Sequence, residues 1–408
     1  MKCVLHIGTE KTGTSLLQEW FYLCEDALQK CGVYLSREFG VPNNRHIPTY
    51  FRGELDDFTR AHKITSKEDK LAFFCDFEET FEREVKNAHG CDTFLITSEH
   101  FHSRLTEPSE IEALGCFLDR HFDQIEVICY FREQSEMALS FYSTHLKGAG
   151  TLSLDTFLEQ VRPEYYYYNF LEIANRWSAV FGRENCNFRL YDRARFQDGD
   201  IRKDFLECLG RRADSFGEPF EKQSSNPSLS ALQAAIYRKI NQHIPYWDTV
   251  TGVNETNVAL KKRVFREDSL KCGVIGTEKQ GEVIARFAQC NSVFFDTYFE
   301  SPTKFAYSDK SSSAEVKLNA VDVERLLDIV LGVVCTDEDR CREKAPPQPQ
   351  VEVVIYGYSD LAKWIEEMDY KIHRWISETR LVTSTTRRRF KSAADRRWRA
   401  LERLRDAR

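Results

Sequence analysis

No apolar run in this 408-residue chain approaches the ~18 residues that cross a bilayer, so no membrane-spanning helix is expected. The 13 cysteines form no CxxC pair and no finger-like Cys/His spacing; Cys335 and Cys341 lie close together but lack partners. An odd, unpatterned set argues against a disulfide framework and reads as reduced thiols. No secretory leader is expected at the start of the chain, because strand-like residues begin at position 2 or 3. These absences together predict a cytoplasmic protein that works where it is made. Basic excess is lacking too: a net charge of −7 disfavours nucleic acid as a partner. No internal repeat is present. What remains is 42% hydrophobic and 13% aromatic, enough for a real core in one large domain with additions, or in two domains.

The densest information lies in the first fifteen residues, MKCVLHIGTEKTGTS. The apolar run Cys3-Val4-Leu5-His6-Ile7 reads as a strand, and Gly8 and Gly13 frame a loop. Apolar residues at Leu16, Leu17, Trp20, Phe21, Leu23, Ala27 and Leu28 read as the helix that follows. Strand, glycine-containing loop and helix N-terminus form an architecture that holds phosphate on backbone N–H groups. Gly8 and Gly13 have the spacing of the nucleoside-triphosphate loop GxxxxGK[ST]. Here, however, Thr14 and Ser15 follow Gly13, and the lysine sits inside the loop at Lys11. Backbone N–H groups from Lys11 through Thr12, Gly13 and Thr14 to Ser15, with the last two hydroxyls, suit a phosphate-type anion. Lys11 is placed to reach the oxygen that bridges this anion to a leaving group. A purely structural turn would need only the glycines.

Further strands are expected at 32–35, 92–97, 125–131 and 186–191, with helices at 67–88, 108–121, 133–146 and 166–181. Strands alternating with helices predict an α/β fold: a central parallel sheet flanked by helices in three layers. Ligands bind such sheets at the carboxyl ends of the strands. The loop 8–15, the triplet Ser98-Glu99-His100 and Arg132 all fall at such ends. Beyond Tyr191 the pattern is mainly helical, at about 200–210, 228–243, 278–299 and 320–334. The segments 309–314 and 336–350 read as linkers. Residues 387–408 carry ten Arg/Lys against three acidic residues, a net +7, with Phe390, Ala394, Trp398, Leu401 and Leu404 on one helical face. This tail suits packing or self-association; peripheral contact with an anionic membrane or an acidic glycan are the other readings.

Arg132 follows a strand directly, and Ser140 lies eight residues on, roughly two turns along a helix. A guanidinium and a hydroxyl so spaced suit a second phosphate. The combination of HIGTEKTGTS with a strand ending Tyr130-Phe131-Arg132 and with Ser140 resembles the PAPS-dependent sulfotransferases, in particular bacterial sulfotransferase-domain proteins. PAPS is 3′-phosphoadenosine 5′-phosphosulfate. The resemblance spans about 1–310 and extends to Ser98-Glu99-His100, Tyr191-Asp192 and Ser225-Asn226-Pro227-Ser228-Leu229.

That resemblance implies a P-loop-like sulfotransferase domain at 1–310, then a linker and helix at 311–350 and a helical region at 351–408. It implies PAPS as co-substrate, adenosine 3′,5′-bisphosphate as product and no metal. The first loop would hold the 5′-phosphosulfate and the Arg132–Ser140 pair the 3′-phosphate. Lys11 would then stabilise charge on the leaving 5′-phosphate. The base that takes the acceptor's proton would be Glu99 or His100. Glu99 fits the bacterial pattern, while His100 has the better unperturbed pKa. Neighbours at a strand end point apart, so one of the two faces the sulfate. The acceptor is expected to be a carbohydrate or glycoconjugate hydroxyl; Asn43, Arg45 and His46 are candidates to touch it, although an ordinary polar loop is the favoured reading of those three. The run Tyr165-Tyr166-Tyr167-Tyr168 suits either glycan stacking or core packing. A homo-oligomer is compatible with all of this. Two competitors are a P-loop kinase using ATP–Mg²⁺, disfavoured by Gly13-Thr14, and a non-catalytic nucleotide-binding scaffold.

Overall fold

The apolar run that opens the chain becomes the central strand of a five-stranded sheet. The strands are β1 (Lys2–Gly8), β2 (Val33–Leu35), β3 (Thr93–Thr97), β4 (Gln124–Phe131) and β5 (Cys186–Leu190). They lie in the order β2-β3-β1-β4-β5, and every pairing is parallel. A central strand is covered on both faces, so it needs no polar alternation. Cys3, Val4, Leu5 and Ile7 are accordingly all fully buried. The chain steps outward from β1 to β2 and β3, then crosses to β4 on the other side of β1. That reversal opens a crevice at the carboxyl end of β1.

This is a computed structural model, and it describes residues 1–216, 228–248, 252–277, 279–300, 303–305, 316–318 and 353–355. Consecutive residues of β4 point to opposite faces. Tyr130 packs in a cluster with Leu17, Trp20 and Phe21 of α1 (Thr14–Leu23) and with Phe205 and Leu206 of helix Ile201–Cys208. Phe131 meets Phe170 of helix Phe170–Phe181 at 4.9 Å and Phe294 of helix Lys279–Tyr298 at 5.0 Å. The expected three-layer α/β arrangement is therefore present. The Tyr130 hydroxyl donates to Asp204 at 2.6 Å, and Asp204 also takes Nε and Nη2 of Arg189 at 2.8 and 2.5 Å. This network ties β4 and β5 to the helix that covers them.

Several elements differ in detail from their sequence reading. The helix expected at 67–88 is two, Lys67–Phe73 and Phe77–Asn87. The break lets Phe74 and Phe77 bury together while Phe73 stays 40% exposed. The stretch 166–181 begins as a 3₁₀ turn, Tyr166–Tyr168, and the helix proper starts after Asn169, whose side chain accepts from the N–H of Glu172. The polar loop that holds Asn43, Arg45 and His46 runs into a short helix, His46–Phe51, and a helix at Glu255–Arg266 was not read from the sequence.

The chain divides into two units. The first holds Met1–Ser140, Glu159–Pro227 and Gly281–Tyr307; the second holds Phe141–Leu158, Ser228–Gln280 and Ser308–Arg408. In the second, helices Ala231–His243 and Glu255–Arg266 pack together, and the Lys261 ammonium donates to the carbonyls of Lys147 and Gly148 at 3.1 and 2.6 Å. A two-stranded antiparallel pair joins Val316–Leu318 to Val353–Ile355. At Val353–Ile355 this corrects the helical reading of 351–408: three β-branched residues in a row favour a pleated backbone. The rest of 306–408, the basic tail included, lies outside the described residues, as do Asn226 and Pro227. No helix among the described residues is long and apolar enough to cross a membrane.

Candidate active site

Three segments meet at the carboxyl ends of β1, β3 and β4. The first is the loop Gly8–Gly13. The N–H and hydroxyl of Thr9 both donate to the Tyr130 carbonyl, at 2.9 and 3.1 Å, which ties the loop to β4. The Thr12 hydroxyl donates to the Thr9 carbonyl at 2.6 Å, so this side chain shapes the loop from within. Lys11 and Gly13 both adopt left-handed backbone, at φ 67° and 79°. Gly13 is the N-cap of α1 and supplies no side-chain cap. The first N–H groups of a helix have no intrahelical partner and carry positive partial charge, so this terminus is shaped for an anion. Thr14 is buried on the helix's inner side and Ser15 is exposed.

The second segment follows β3. The strand ends at Thr97; Glu99 is the N-cap of a short helix, His100–Arg104. Helical geometry replaces strand alternation here, so the two side chains do not point apart. His100 Nε2 lies 4.0 Å from Glu99 Oε1. The other carboxylate oxygen, Oε2, accepts from the Gln18 amide at 2.6 Å. A Cβ on Gly8 would lie 3.2 Å from the Glu99 Cα, so loop and turn pack directly on each other. Burial depresses the His100 pKa and favours the neutral imidazole, against the partial opposition of Glu99. Its Nδ1 is buried without a hydrogen-bond partner.

Arg132, after β4, is the third. Its Nη1 donates to the Lys11 carbonyl at 3.3 Å, its Nε and Nη2 face Glu136 Oε2 at 3.4 and 3.2 Å, and its guanidinium carbon sits 5.6 Å from the centre of the Tyr191 ring. Arg132 is thus joined to the anion loop itself. Ser140 is two turns into helix Gln134–Lys147 and partly buried. The N-terminus of that helix is already closed by a carboxylate: Glu133 accepts from the N–H groups of Ser135 and Glu136, both at 3.0 Å, and from the Ser135 hydroxyl at 2.5 Å. The start of helix Gln134–Lys147 thus carries a side-chain carboxylate cap, and the start of α1 carries none. Burial lowers the Lys11 pKa, Arg132 lowers it further, and Glu10 and Glu99 offset part of the effect.

The loop 40–46 sits beside this cluster but divides its work differently from the sequence expectation. Arg45 is buried, and its guanidinium donates to Asp56 at 2.5 Å, Asp57 at 3.3 Å and Thr49 at 2.9 Å. Its charge is consumed inside the protein, so it holds the loop instead of reaching a ligand. His46 lies among Phe58, Phe73 and Phe74, and burial keeps its pKa low. Asn43 is partly buried and its carbonyl accepts from the Arg45 N–H. The neighbour that the sequence reading passed over, Asn44, does the joining: its Oδ1 takes the Thr97 N–H at 2.8 Å and its amide donates to the Ser36 carbonyl at 3.0 Å.

Sequence reasoning also missed Glu10, His102 and Gln18. Glu10 accepts from the Tyr167 hydroxyl at 2.9 Å. The Glu10 N–H donates to His102 Nδ1 at 3.4 Å, so Nε2 carries the proton and donates to the Tyr167 carbonyl at 2.9 Å. The tyrosine run therefore anchors the loop: Tyr167 and Tyr168 are buried and only Tyr165 is well exposed, at 58%. A signal existed for Gln18, an amide on the apolar side of α1. A half-open cavity of about 420 Å³ beside Glu133, lined by Asn291, Phe295 and Phe305 among others, contains none of these residues.

The chain is thus a three-layer α/β protein of P-loop-like arrangement with an anion-shaped loop at its switch point. No family model matches the sequence. A 190-residue stretch is 25% identical to an uncharacterized protein of Archaeoglobus fulgidus, covering 45% of this chain and 49% of that protein, so the chain spans about half the length of the curated relative it matches. The crystal structure of a sulfotransferase from Alicyclobacillus acidocaldarius is similar over 55% of this chain and 86% of its own, with a TM-score of 0.36 and 18% identity. The chemistry of the site rests on this chain's own residues.

Proposed function

We propose that this protein is a PAPS-dependent sulfotransferase that moves a sulfuryl group to an acceptor hydroxyl, on a carbohydrate or glycoconjugate, in the cytoplasm. The observation that carries this reading is the Arg132 contact to the Lys11 carbonyl, which joins two cationic side chains to one loop, with Glu99 facing that loop from the next strand. The fit of the donor is supported by the α1 terminus, where Gly13 leaves the N–H groups without a side-chain cap.

The donor supplies the sulfuryl group, and adenosine 3′,5′-bisphosphate leaves. Backbone N–H groups from Gly13 onward bind the 5′-phosphate, and Arg132 with Ser140 takes the 3′-phosphate. The Lys11 ammonium receives the negative charge that develops on the bridging oxygen as its bond to sulfur breaks. Glu99 Oε1 accepts the proton of the acceptor hydroxyl as that oxygen bonds to sulfur. His100, held neutral, lies beside it as a second proton acceptor.

Calorimetry with adenosine 3′,5′-bisphosphate and with ATP–Mg²⁺ tests the reading. The bisphosphate is expected to bind more tightly, and Lys11→Ala and Arg132→Ala are each expected to weaken it. Preference for ATP–Mg²⁺ would assign the loop to a kinase instead. Glu99→Gln and His100→Ala should keep bisphosphate affinity, with the larger loss of turnover in Glu99→Gln.

A further inference from the structure

Gln18 is 2% exposed, on a helix whose inner face otherwise carries Leu17, Trp20 and Phe21. An amide placed there costs folding free energy unless it is hydrogen-bonded. Its partner is Glu99 Oε2, at 2.6 Å. Thr14, at the anion end of α1, is one turn before Gln18 on the same side of the helix. One face of one helix therefore carries the buried Thr14 at its uncapped start and reaches a carboxylate of the site one turn on. We propose that Gln18 is a positioning residue that fixes Glu99 by one oxygen and leaves Oε1 aimed at the acceptor hydroxyl. This rests on the sulfotransferase reading. The carboxylate is locked to the helix that holds the donor, so base and leaving group keep a fixed separation. Among the described residues, Gln18 makes the hydrogen bond to the Glu99 carboxylate, while His100 stands at 4.0 Å.

The test uses the full chain and sulfur-radiolabelled PAPS, with water as the simplest hydroxyl acceptor, so that donor and water yield adenosine bisphosphate, sulfate and a proton. Gln18→Met keeps side-chain length and apolar packing but removes the donor; Gln18→Asn keeps the amide one methylene short of Glu99 and serves if the methionine variant folds poorly. Both are expected to bind adenosine 3′,5′-bisphosphate within about twofold of the wild type and to lose about 10²-fold in turnover, the order seen when a catalytic group is misplaced by an ångström. Combined with Glu99→Gln, Gln18→Met should cost nothing further, because it acts through Glu99. Wild-type turnover in both variants overturns the proposal, as do losses that multiply with that of Glu99→Gln, or a parallel fall in bisphosphate affinity. A wild-type chain that neither binds the bisphosphate nor consumes PAPS overturns the sulfotransferase reading itself, and is seen before any variant is made.

Discussion

Replacing Gly13 by alanine tests the coupling between the anion loop and Arg132. Gly13 sits at φ 79°, and a Cβ there would lie 3.3 Å from Tyr191 Cε2 and 3.5 Å from its hydroxyl. The left-handed backbone alone costs an L-residue roughly 1–2 kcal/mol. The contact adds a displacement of the Tyr191 ring, against which the Arg132 guanidinium rests. The Arg132–Lys11 carbonyl bond, at 3.3 Å, is already near the outer limit of such bonds, so a small shift breaks it. A hydrogen bond to a charged group contributes about 1.5–3 kcal/mol, which is roughly a ten- to hundredfold loss of bisphosphate affinity. Gly210→Ala is the control: φ is 69° and nothing lies within 4 Å of its Cβ. Urea unfolding should show a similar backbone cost in both variants, and calorimetry a loss of affinity in Gly13→Ala alone. If Gly13→Ala binds adenosine 3′,5′-bisphosphate as the wild type does, the loop and Arg132 are not coupled through Tyr191.

Arg132→Lys removes the planar fork that meets Glu136 and the Lys11 carbonyl at once, so bisphosphate affinity should fall at least about tenfold. Adenosine 5′-monophosphate, lacking the 3′-phosphate, should be affected less; equal binding of both nucleotides to variant and wild type would remove Arg132 from the anion site. His102 is fully buried, and burial pulls its pKa from 6.5 down to about 4. The unfolded chain takes up this proton below pH 6.5 and the folded chain only near pH 4. Stability should therefore fall as pH drops through that window, by about 3 kcal/mol from this residue, and His6, lowered to about 3 by burial, acts in the same direction. Urea midpoints at pH 7.5 and 5 should differ less in His102→Gln; an unchanged difference would show that His102 does not carry the effect.

The strands of this fold were legible because β1, β3 and β4 are largely buried and so read as mainly apolar runs, ending within a residue or two of their sequence limits. Helix boundaries were less so. Nothing in the periodicity of 67–88 marks the turn at Phe74–Asp76, which exists so that two phenylalanines reach one core. The site was legible where backbone geometry writes itself into residue type: the glycines at 8 and 13, and the basic residue at the end of β4. It was not legible where pairing decides. Arg45 looked available because sequence does not show Asp56 and Asp57 folding back onto it, and Asn44 looked no different from Asn43.

The sequence by itself determined the parallel sheet, the anion-shaped loop at the end of its central strand, and the three strand ends that share one crevice, because hydrophobic period and glycine placement are local properties. The tertiary structure alone decided which polar groups are spent and which are offered. It closed one helix start with Glu133 and left the start of α1 without a side-chain cap, turned Arg45 inward, and brought Arg132 onto the carbonyl of Lys11 across 121 residues of chain. It also gave Glu99 a fixed oxygen through Gln18. Charges and hydrogen bonds act through space over a few ångströms, and the spacing of residues along the chain does not record those distances.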